Sequence, residues 1–388
     1  MQTTQQIRSA VYRGVDFLHT TNGPHGLQSH VSLDPTFPEE RTVPCSEAIE
    51  LPLPPKIKQR LQTLLTFEPE VFTSALALVF LKELPSQTKD ALLQWVQDKR
   101  LPHAARYHFF SSFDSIAADT DTTAVALLGL WQNKAISEQD FFEGVHELLR
   151  SAATGKVECN GAQTEEHPNS TDKSSQLPRG VFKCYWEDEV SEPTPQRGRK
   201  VDAVVVLNVL RTVLVAQRDV GLSLDKTIQL SEKDESGNVL QHAMTVEEII
   251  ANNISYLRQH LRSGAVFQGT RYYPSASFFV GLLADLLRTF PKALGTLFED
   301  TQQALLTLAK TSPLQNFPLD NAMQYLALRR LEQCHHLQKE RINTLLQTQQ
   351  SNGGWAASTC FSLGSQPLYF GSSQLTTIFA LQALTADV

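Results

Sequence analysis

Nothing in this 388-residue chain approaches the roughly 18 consecutive apolar residues of a membrane-spanning helix. The opening Met1-Gln-Thr-Thr-Gln-Gln6 has neither the basic start nor the apolar core of a secretory signal. The expectation is a cytoplasmic protein without a transmembrane segment. Cysteine is scarce: the five residues at 45, 159, 184, 334 and 360 are odd in number and show no metal-ligand spacing. That pattern excludes a disulfide framework and a zinc knuckle, and the thiols are expected to be reduced. Basic charge is scarce as well, with 34 Lys and Arg against 41 Asp and Glu and a net charge of −7. Duplex binding needs clustered cations, so no nucleic-acid partner is expected. The one basic run, Arg197-Gly-Arg-Lys200, is short and reads as a solvated loop.

What is present is helical texture. A hydrophobic content of 41% and a charged content of 19% fit an ordinary globule. Apolar residues recur at spacings of three and four over 7–18, 56–65, 68–82, 88–97, 121–132 and 138–152. The same spacing returns over 202–216, 245–261, 275–289, 292–308, 320–331, 337–349 and 373–384. About a dozen helices and no convincing strand set make the chain all-α. Residues 155–180 hold Glu, Asn, Ser, Thr, Gln and Pro with almost nothing apolar, which reads as a flexible insertion. The helical pattern resumes unchanged beyond it, so 1–388 is expected to form a single domain.

Some of these helices are apolar on nearly every face: 124–130, 203–210, 278–287 and 375–384. A helix of that kind is buried all round. They alternate with amphipathic ones such as 138–152 and 337–349, as expected for an inner ring wrapped by an outer ring, a two-layer α/α barrel. Several buried helices begin with the same residues: Asp119 and Asp121, then Asp202, Asp320 and Ser372-Ser373. If the inner helices run parallel, these starts gather at one end. Most such residues are plain N-caps, and Asp202 and Asp320 are read so.

The first pair admits two explanations. Asp119-Thr-Asp-Thr-Thr123 runs straight into Ala124-Val-Ala-Leu-Leu-Gly-Leu-Trp131. Both carboxylates could simply cap the helix and meet the positive end of its dipole. Alternatively, Asp121 is a carboxylic acid kept protonated by an apolar cavity and by the like charge of Asp119. Such an acid can protonate a carbon–carbon double bond.

Leu345-Leu-Gln-Thr-Gln-Gln-Ser-Asn-Gly-Gly-Trp355 resembles the glutamine–tryptophan repeat of the terpene cyclase and prenyltransferase α/α-barrel superfamily. Arg13-Gly-Val-Asp-Phe17 followed by Gly23-Pro-His-Gly26 is a weaker copy without the Gln or the Trp. Asp119-Thr-Asp-Thr-Thr123 is similar to the Asp-x-Asp-Asp signature of class II terpene cyclases, in which the middle Asp donates a proton to an alkene. Further stretches resemble a bacterial single-domain branch related to the merosterolic acid synthases: Val201-Asp-Ala-Val-Val-Val-Leu-Asn-Val-Leu210, Tyr272-Tyr-Pro274 and Tyr369-Phe-Gly-Ser-Ser-Gln-Leu-Thr-Thr377. The resemblance covers nearly the whole chain and implies a single (α/α)6 barrel. It departs at Thr122, where the broader class has another Asp; the Asp-x-Asp-Thr-Thr form belongs to the branch.

By this resemblance Asp121 is the acid, and Asp119 orients it or relays protons from solvent. Asn208 matches an Asn that hydrogen-bonds the acid in related cyclases. A buried Asn needs a partner in any case, so a satisfied core amide is the plainer alternative. Aromatic faces suit a moving carbocation; of the candidates Phe109, Phe113, Trp131, Phe182, Trp186, Tyr272, Tyr273, Phe278, Trp355, Phe361, Tyr369 and Phe370, those in the matching loop motifs, Trp186, Tyr273, Trp355, Tyr369 and Phe370, are expected to bind substrate.

The resemblance implies a small-molecule isoprenoid substrate, a prenylated aromatic acid cyclised to a meroterpenoid, with a free isoprenyl diphosphate as the alternative. Arg197, Arg199, Lys200 or Arg271 could hold either anion. No cofactor is implied, with magnesium only if the substrate is a diphosphate, and no Asp-Asp-x-x-Asp supports ionisation chemistry. Two alternatives stand beside this one. His335-His336 beside Cys334 leaves a zinc prenyltransferase open, and a non-catalytic helical binding module would have a plugged barrel and a solvated, ionised Asp121.

Overall fold

The computed structural model describes residues 2–38, 41–44, 69–110, 117–154, 179–186, 200–233, 239–311, 317–364 and 368–386, with a few positions between 47 and 58. The helix expected at 56–65, nearly all of the 155–180 insertion, Phe113, Arg197 and Arg199 lie outside the described residues.

Among the described residues, twelve helices are nine or more residues long. They are α1 (Gln2–Thr21), α2 (Phe72–Phe80), α3 (Ser86–Gln97), α4 (Thr120–Gln132), α5 (Glu138–Arg150), α6 (Ala203–Asp219), α7 (Val246–Arg262), α8 (Ala276–Thr289), α9 (Phe298–Thr311), α10 (Pro318–Arg330), α11 (His335–Thr348) and α12 (Ser373–Thr385). The even-numbered helices form a ring, each packed on the next, and α12 returns to α2 to close it. The odd-numbered helices pack on the outside. This is the (α/α)6 barrel. Burial follows the expected alternation: residues 120–130 of α4 and 203–216 of α6 are buried without interruption. Outer α5 and α7 bury only one stripe.

The inner helices approach closely where the sequence permits. A Cβ at Gly281 of α8 would lie 2.9 Å from the carbonyl oxygen of Met323 in α10. Where α6, α8 and α10 meet, Arg211 and Arg330 each place a guanidinium nitrogen 2.9 Å from an oxygen of Asp285. All three side chains are largely out of water, so the second arginine completes the pairing of both carboxylate oxygens.

The glutamine–tryptophan segment closes the ring. Gln349 donates to the carbonyl oxygens of Ala10 (2.8 Å) and Gly353 (2.7 Å) and accepts from Arg13, so the end of α11 is tied to α1. Trp355 is fully buried, and its indole N–H donates to the Leu345 carbonyl at 2.8 Å. Gly353 has φ +92°, and a Cβ there would meet the Arg13 carbonyl oxygen at 2.4 Å, so this turn needs glycine. The weaker N-terminal copy supplies the opposing surface, with Gly354 against the ring of Phe17 and Gly14 beside Trp355.

A few short strands stand beside the helices of this all-α barrel. A four-stranded antiparallel sheet has the order β2-β1-β6-β5, with β1 (His30–Ser32), β2 (Val43–Pro44), β5 (Thr359–Ser362) and β6 (Tyr369–Gly371). Elements of two to four residues are too short for a period of two to show in sequence. The hairpin β3 (Thr227–Lys233) and β4 (Val239–Thr245) is longer. Ile228 and Leu230 are buried while Thr227, Gln229 and Ser231 are exposed, an alternation the sequence does carry. The helix expected over 292–308 is interrupted by a 3-10 turn at Gly295–Leu297.

Candidate active site

The loops entering the inner helices meet at one end of the barrel, joined by the capping residues themselves. Asp202 caps α6 by accepting from Val204 N–H (2.9 Å) and with its other oxygen accepts from Tyr272 N–H, also at 2.9 Å. Ser275 caps α8 and donates to Asp320 of α10. The capping expected of Asp202 is therefore present, and it also anchors the Tyr272-Tyr273 segment. Asp320 lies inside the first turn of α10 and bonds a neighbouring cap.

In Asp119-Thr-Asp-Thr-Thr123 each residue has a different partner. Asp119 caps α4, its Oδ1 accepting from Thr122 N–H at 2.7 Å, while its Oδ2 has no partner among the described residues. Thr120 donates to the Lys183 carbonyl (2.8 Å), and the Thr123 hydroxyl accepts from Tyr107 N–H (2.9 Å). These bonds fix the strand–helix junction from both sides and leave Asp121 pointing inward from the first turn of α4. Its Oδ1 accepts from Asn208 Nδ2 at 2.7 Å, and its Oδ2 accepts from the Tyr273 hydroxyl. Asn208 is thus a satisfied buried amide whose partner is the candidate acid.

Burial governs the electrostatics. Loss of water pushes the Asp121 carboxyl up to about 7, with the Asp119 charge adding to the rise and Tyr273 and Asn208 opposing it. Burial likewise pushes Asp119 up to about 7, against the bond from Thr122 N–H. A helix N-terminus favours an anion by only about 0.3–1 kcal/mol, too little to offset this desolvation. Burial and the adjacent Asp121 hold the Tyr273 phenol well above its usual range, so it stays a donor.

Asp119, Asp121, Thr122, Tyr273 and Phe370 line a cavity together with Phe72, Phe109, Cys184, Tyr185, Val205, Tyr272, Phe361, Ser362 and Leu363. The same cavity wall carries an aromatic cluster. Phe361 and Phe370 stack with centroids 5.3 Å apart, and Phe109 meets both edge-on at 5.3 and 5.8 Å. Burial pushes the Cys184 thiol up, so no thiolate is available to trap a cation. The cavity volume is about 80 Å³, space for two or three waters.

Three of the five expected substrate aromatics lie off this wall. Trp355 is sealed in the ring-closing turn. Trp186 donates its indole N–H to the Glu147 carbonyl (2.9 Å) beneath the Arg106 guanidinium. Tyr369 alternates with Phe370 along β6, and Phe370 is the one that lines the cavity. Trp131 stacks on Phe141 and bonds Asp219, near the C-terminal ends of α4 and α6. Sequence reasoning missed Phe72, Cys184, Tyr185, Val205, Ser362 and Leu363. Phe72 and Val205 had a signal: like Asp121, they occupy the first turn of an inner helix.

The two non-cyclase alternatives fare differently from the acid. His335 and His336 are exposed at the start of outer α11, and among the described residues no three His, Cys, Asp or Glu side chains are grouped to hold a metal ion. A plugged barrel with a solvated Asp121 is contradicted by the cavity and by the burial of that carboxyl.

A titration of rate follows from these environments. If protonated Asp121 is the acid, kcat/KM should be level below about pH 7 and fall about tenfold per unit above it. The same raised carboxyls give stability that is fully present below their unfolded value of 3.8 and is lost as pH rises through about 7. Denaturant melts from pH 4 to 9 should show that decline.

No family model matches the chain. Drimenol cyclase drtB of Aspergillus calidoustus is 32% identical over 145 residues, which are 36% of this chain and 26% of that protein. The chain therefore matches over about a quarter of the curated relative's length. The type II terpene cyclase MstE from Scytonema, in its apo structure, superposes with a TM-score of 0.60 at 13% identity, over 99% of this chain and 98% of that one. Ent-copalyl diphosphate synthase from Streptomyces platensis gives a TM-score of 0.50 at 14% identity over 81% of this chain and 50% of that one. The helical barrel is thus the fold of the class II terpene cyclases. Among the described residues no helix is long and apolar enough to cross a membrane.

Proposed function

We propose that the protein is a class II terpene cyclase that folds a linear prenyl chain and closes it into fused rings. The observation that carries this is a buried carboxyl, Asp121, held between Asn208 and Tyr273 at the wall of an aromatic cavity. The Asp121 O–H adds its proton to the terminal double bond, leaving a carboxylate and a tertiary carbocation. Successive double bonds attack that cation to form rings, and loss of a proton ends the sequence. The product is an isomer of the substrate, and the prenyl head group stays attached.

Each neighbour has a part in this sequence. After the proton leaves, the Asn208 amide and the Tyr273 hydroxyl stabilise the Asp121 carboxylate. Asp119, with one buried oxygen unpartnered at the cavity wall, is placed to return a proton to Asp121. Phe109, Phe361 and Phe370 present ring faces and edges without a nucleophilic atom, and cation–π attraction draws the charge along them. No redox group is needed for an isomerisation.

The substrate favoured is a prenyl chain on an aromatic acid. Its support is the fold shared with MstE, a variant of which was solved in complex with its substrate geranylgeranyl dihydroxybenzoate. A free isoprenyl diphosphate that keeps its diphosphate is the second reading, favoured by the likeness to ent-copalyl diphosphate synthase; only this one calls for magnesium. Incubation of the purified protein with farnesylated dihydroxybenzoate and, separately, farnesyl and geranylgeranyl diphosphates is the test. A cyclised product with the head group retained is expected from one class, whereas diphosphate release without cyclisation would sink the proposal.

Tyr273→Phe separates the parts of the acid. The hydroxyl lowers the Asp121 value, so its removal should shift the descending limb of the pH profile upward. The acid becomes weaker, and kcat on the low-pH plateau should fall several-fold, since one hydrogen bond to a charged group is worth about 1.5–3 kcal/mol before compensation. A profile unchanged in position would mean that Tyr273 does not tune the acid.

A further inference from the structure

A helix cap needs one oxygen. Ser275 and Ser372 cap α8 and α12 through a hydroxyl, and Asp119 caps α4 through Oδ1. Asp202 uses both of its oxygens. Oδ1 accepts from Val204 N–H at 2.9 Å and Val205 N–H at 3.4 Å at the start of α6, while Oδ2 accepts from Tyr272 N–H at 2.9 Å. The Thr270 hydroxyl bonds the same carboxylate. Asp202 is 2% exposed, so desolvation pushes its carboxyl up and these bonds oppose the rise. A serine would cap α6 without burying a charge.

The contacts beyond the cap all fall on one turn. Thr270 N–H donates to the Tyr273 carbonyl at 2.7 Å, and Tyr273 N–H donates to the Thr270 hydroxyl at 3.1 Å, which closes residues 270–273 into one piece. Ser362 of β5 holds it as well, its N–H donating to the Tyr272 carbonyl at 2.8 Å. From this turn the Tyr273 ring stacks on Phe278 with centroids 5.3 Å apart, and its hydroxyl donates to Asp121. Helix α6, to which Asp202 ties the turn, carries Asn208, the other donor to Asp121. The Asp202 carboxylate thus joins the two supports of the acid to each other.

We propose that Asp202 is a positioning residue for the acid: it locks the 270–273 turn to the start of α6, so that the Tyr273 hydroxyl meets the Asp121 oxygen that Asn208 leaves free. This rests on the cyclase reading and adds to it a residue that does not line the cavity. A hydroxyl at the tip of a tyrosine magnifies any tilt of the backbone at its base, so loss of the Tyr272 N–H contact is felt at Asp121.

Two effects of opposite sign separate positioning from simple charge. Burial sets the raised Asp121 value; around it the Tyr273 hydroxyl lowers that value and the Asp202 charge raises it. Release of Tyr273 therefore moves the descending limb of the rate profile up, whereas removal of a nearby negative charge alone moves it down. The other ionisable groups around the pair, Asp119, Cys184, Lys200, Tyr272 and Cys360, are unchanged by substitution at 202.

Asp202→Asn and Asp202→Ser both keep a cap for α6 and both lose the oxygen that accepts from Tyr272 N–H, so either variant that folds is a test. In each, kcat on the low-pH plateau should fall several-fold and the descending limb should move up, with KM little changed. Combined with Tyr273→Phe, Asp202→Asn should add little further loss, because its effect passes through that hydroxyl. A limb that moves down, an unaltered plateau, or losses that multiply in the double variant would each overturn the proposal. The same titration is read without turnover from the infrared carbonyl band of protonated Asp121, identified as the band missing in Asp121→Asn. That band should persist to higher pH in Asp202→Asn, and one that vanishes at the same or a lower pH overturns the proposal. A wild-type protein that cyclises none of the offered prenyl substrates sinks the cyclase reading instead, while the infrared band still decides whether Asp202 governs the contact between Tyr273 and Asp121.

Discussion

Asp121→Asn should abolish cyclisation, lowering kcat by at least about 10²–10⁴-fold, the range general acids contribute. The amide has nearly the same shape and still accepts from Tyr273 through its oxygen, but it has no acidic proton to give to an alkene. Folding should survive the change, because it removes a carboxyl that is already buried at a desolvation penalty. Loss of the product peak in gas chromatography, with the melting curve at pH 7 kept or raised, is the expected pair of results. Cyclisation that persists in this variant would refute the acid. Asp119→Asn should be milder, since Asp119 caps α4 through one oxygen and an Asn cap does the same. Its effect should fall on turnovers after the first, seen as a burst of about one product per enzyme when rapid sampling is done with substrate in excess.

Trp355→Ala should cost about 3–5 kcal/mol of stability, the range for a buried aromatic truncated in a core that cannot collapse. From its loop motif Trp355 is expected to bind substrate, whereas the structure places it in the turn that joins α11 and α12 to α1. Its ring fills the space under Gly14, and its N–H satisfies the Leu345 carbonyl. Truncation opens a void and leaves that carbonyl unpaired where the two ends of the barrel meet. The denaturant midpoint of unfolding should fall accordingly, and Trp355→Phe should recover much of it with KM unchanged. A raised KM in a fully stable Trp355→Phe protein would return this residue to the substrate site.

These two expectations sit at opposite ends of what could be read from residues alone. The alternation of apolar and amphipathic helices is a local matter of 3.6-residue periodicity, so the two-layer barrel was legible before any contact was known. Caps are local too: Asp119, Asp202 and Ser372 reach N–H groups within three residues of themselves, which is why the ends of the inner helices could be found to within a residue or two. The strands of two to four residues carried too little pattern to be seen, and the pairing of β1 with β6 spans most of the chain.

The same distinction runs through the candidate site. Asp119-Thr-Asp-Thr-Thr123, by itself, determined where an acid could stand and left capping and catalysis both open, since a motif fixes residue type and spacing but not solvation. Only the tertiary structure decided that Asp121 is dry. It brought Asn208 from 87 residues away and Tyr273 from 152 residues away to its two oxygens, and it turned Phe370 to the cavity while Tyr369 faces elsewhere. The reason is that desolvation and the facing of an aromatic ring depend on neighbours distant in sequence, whereas a cap or a helical stripe depends only on residues within a turn.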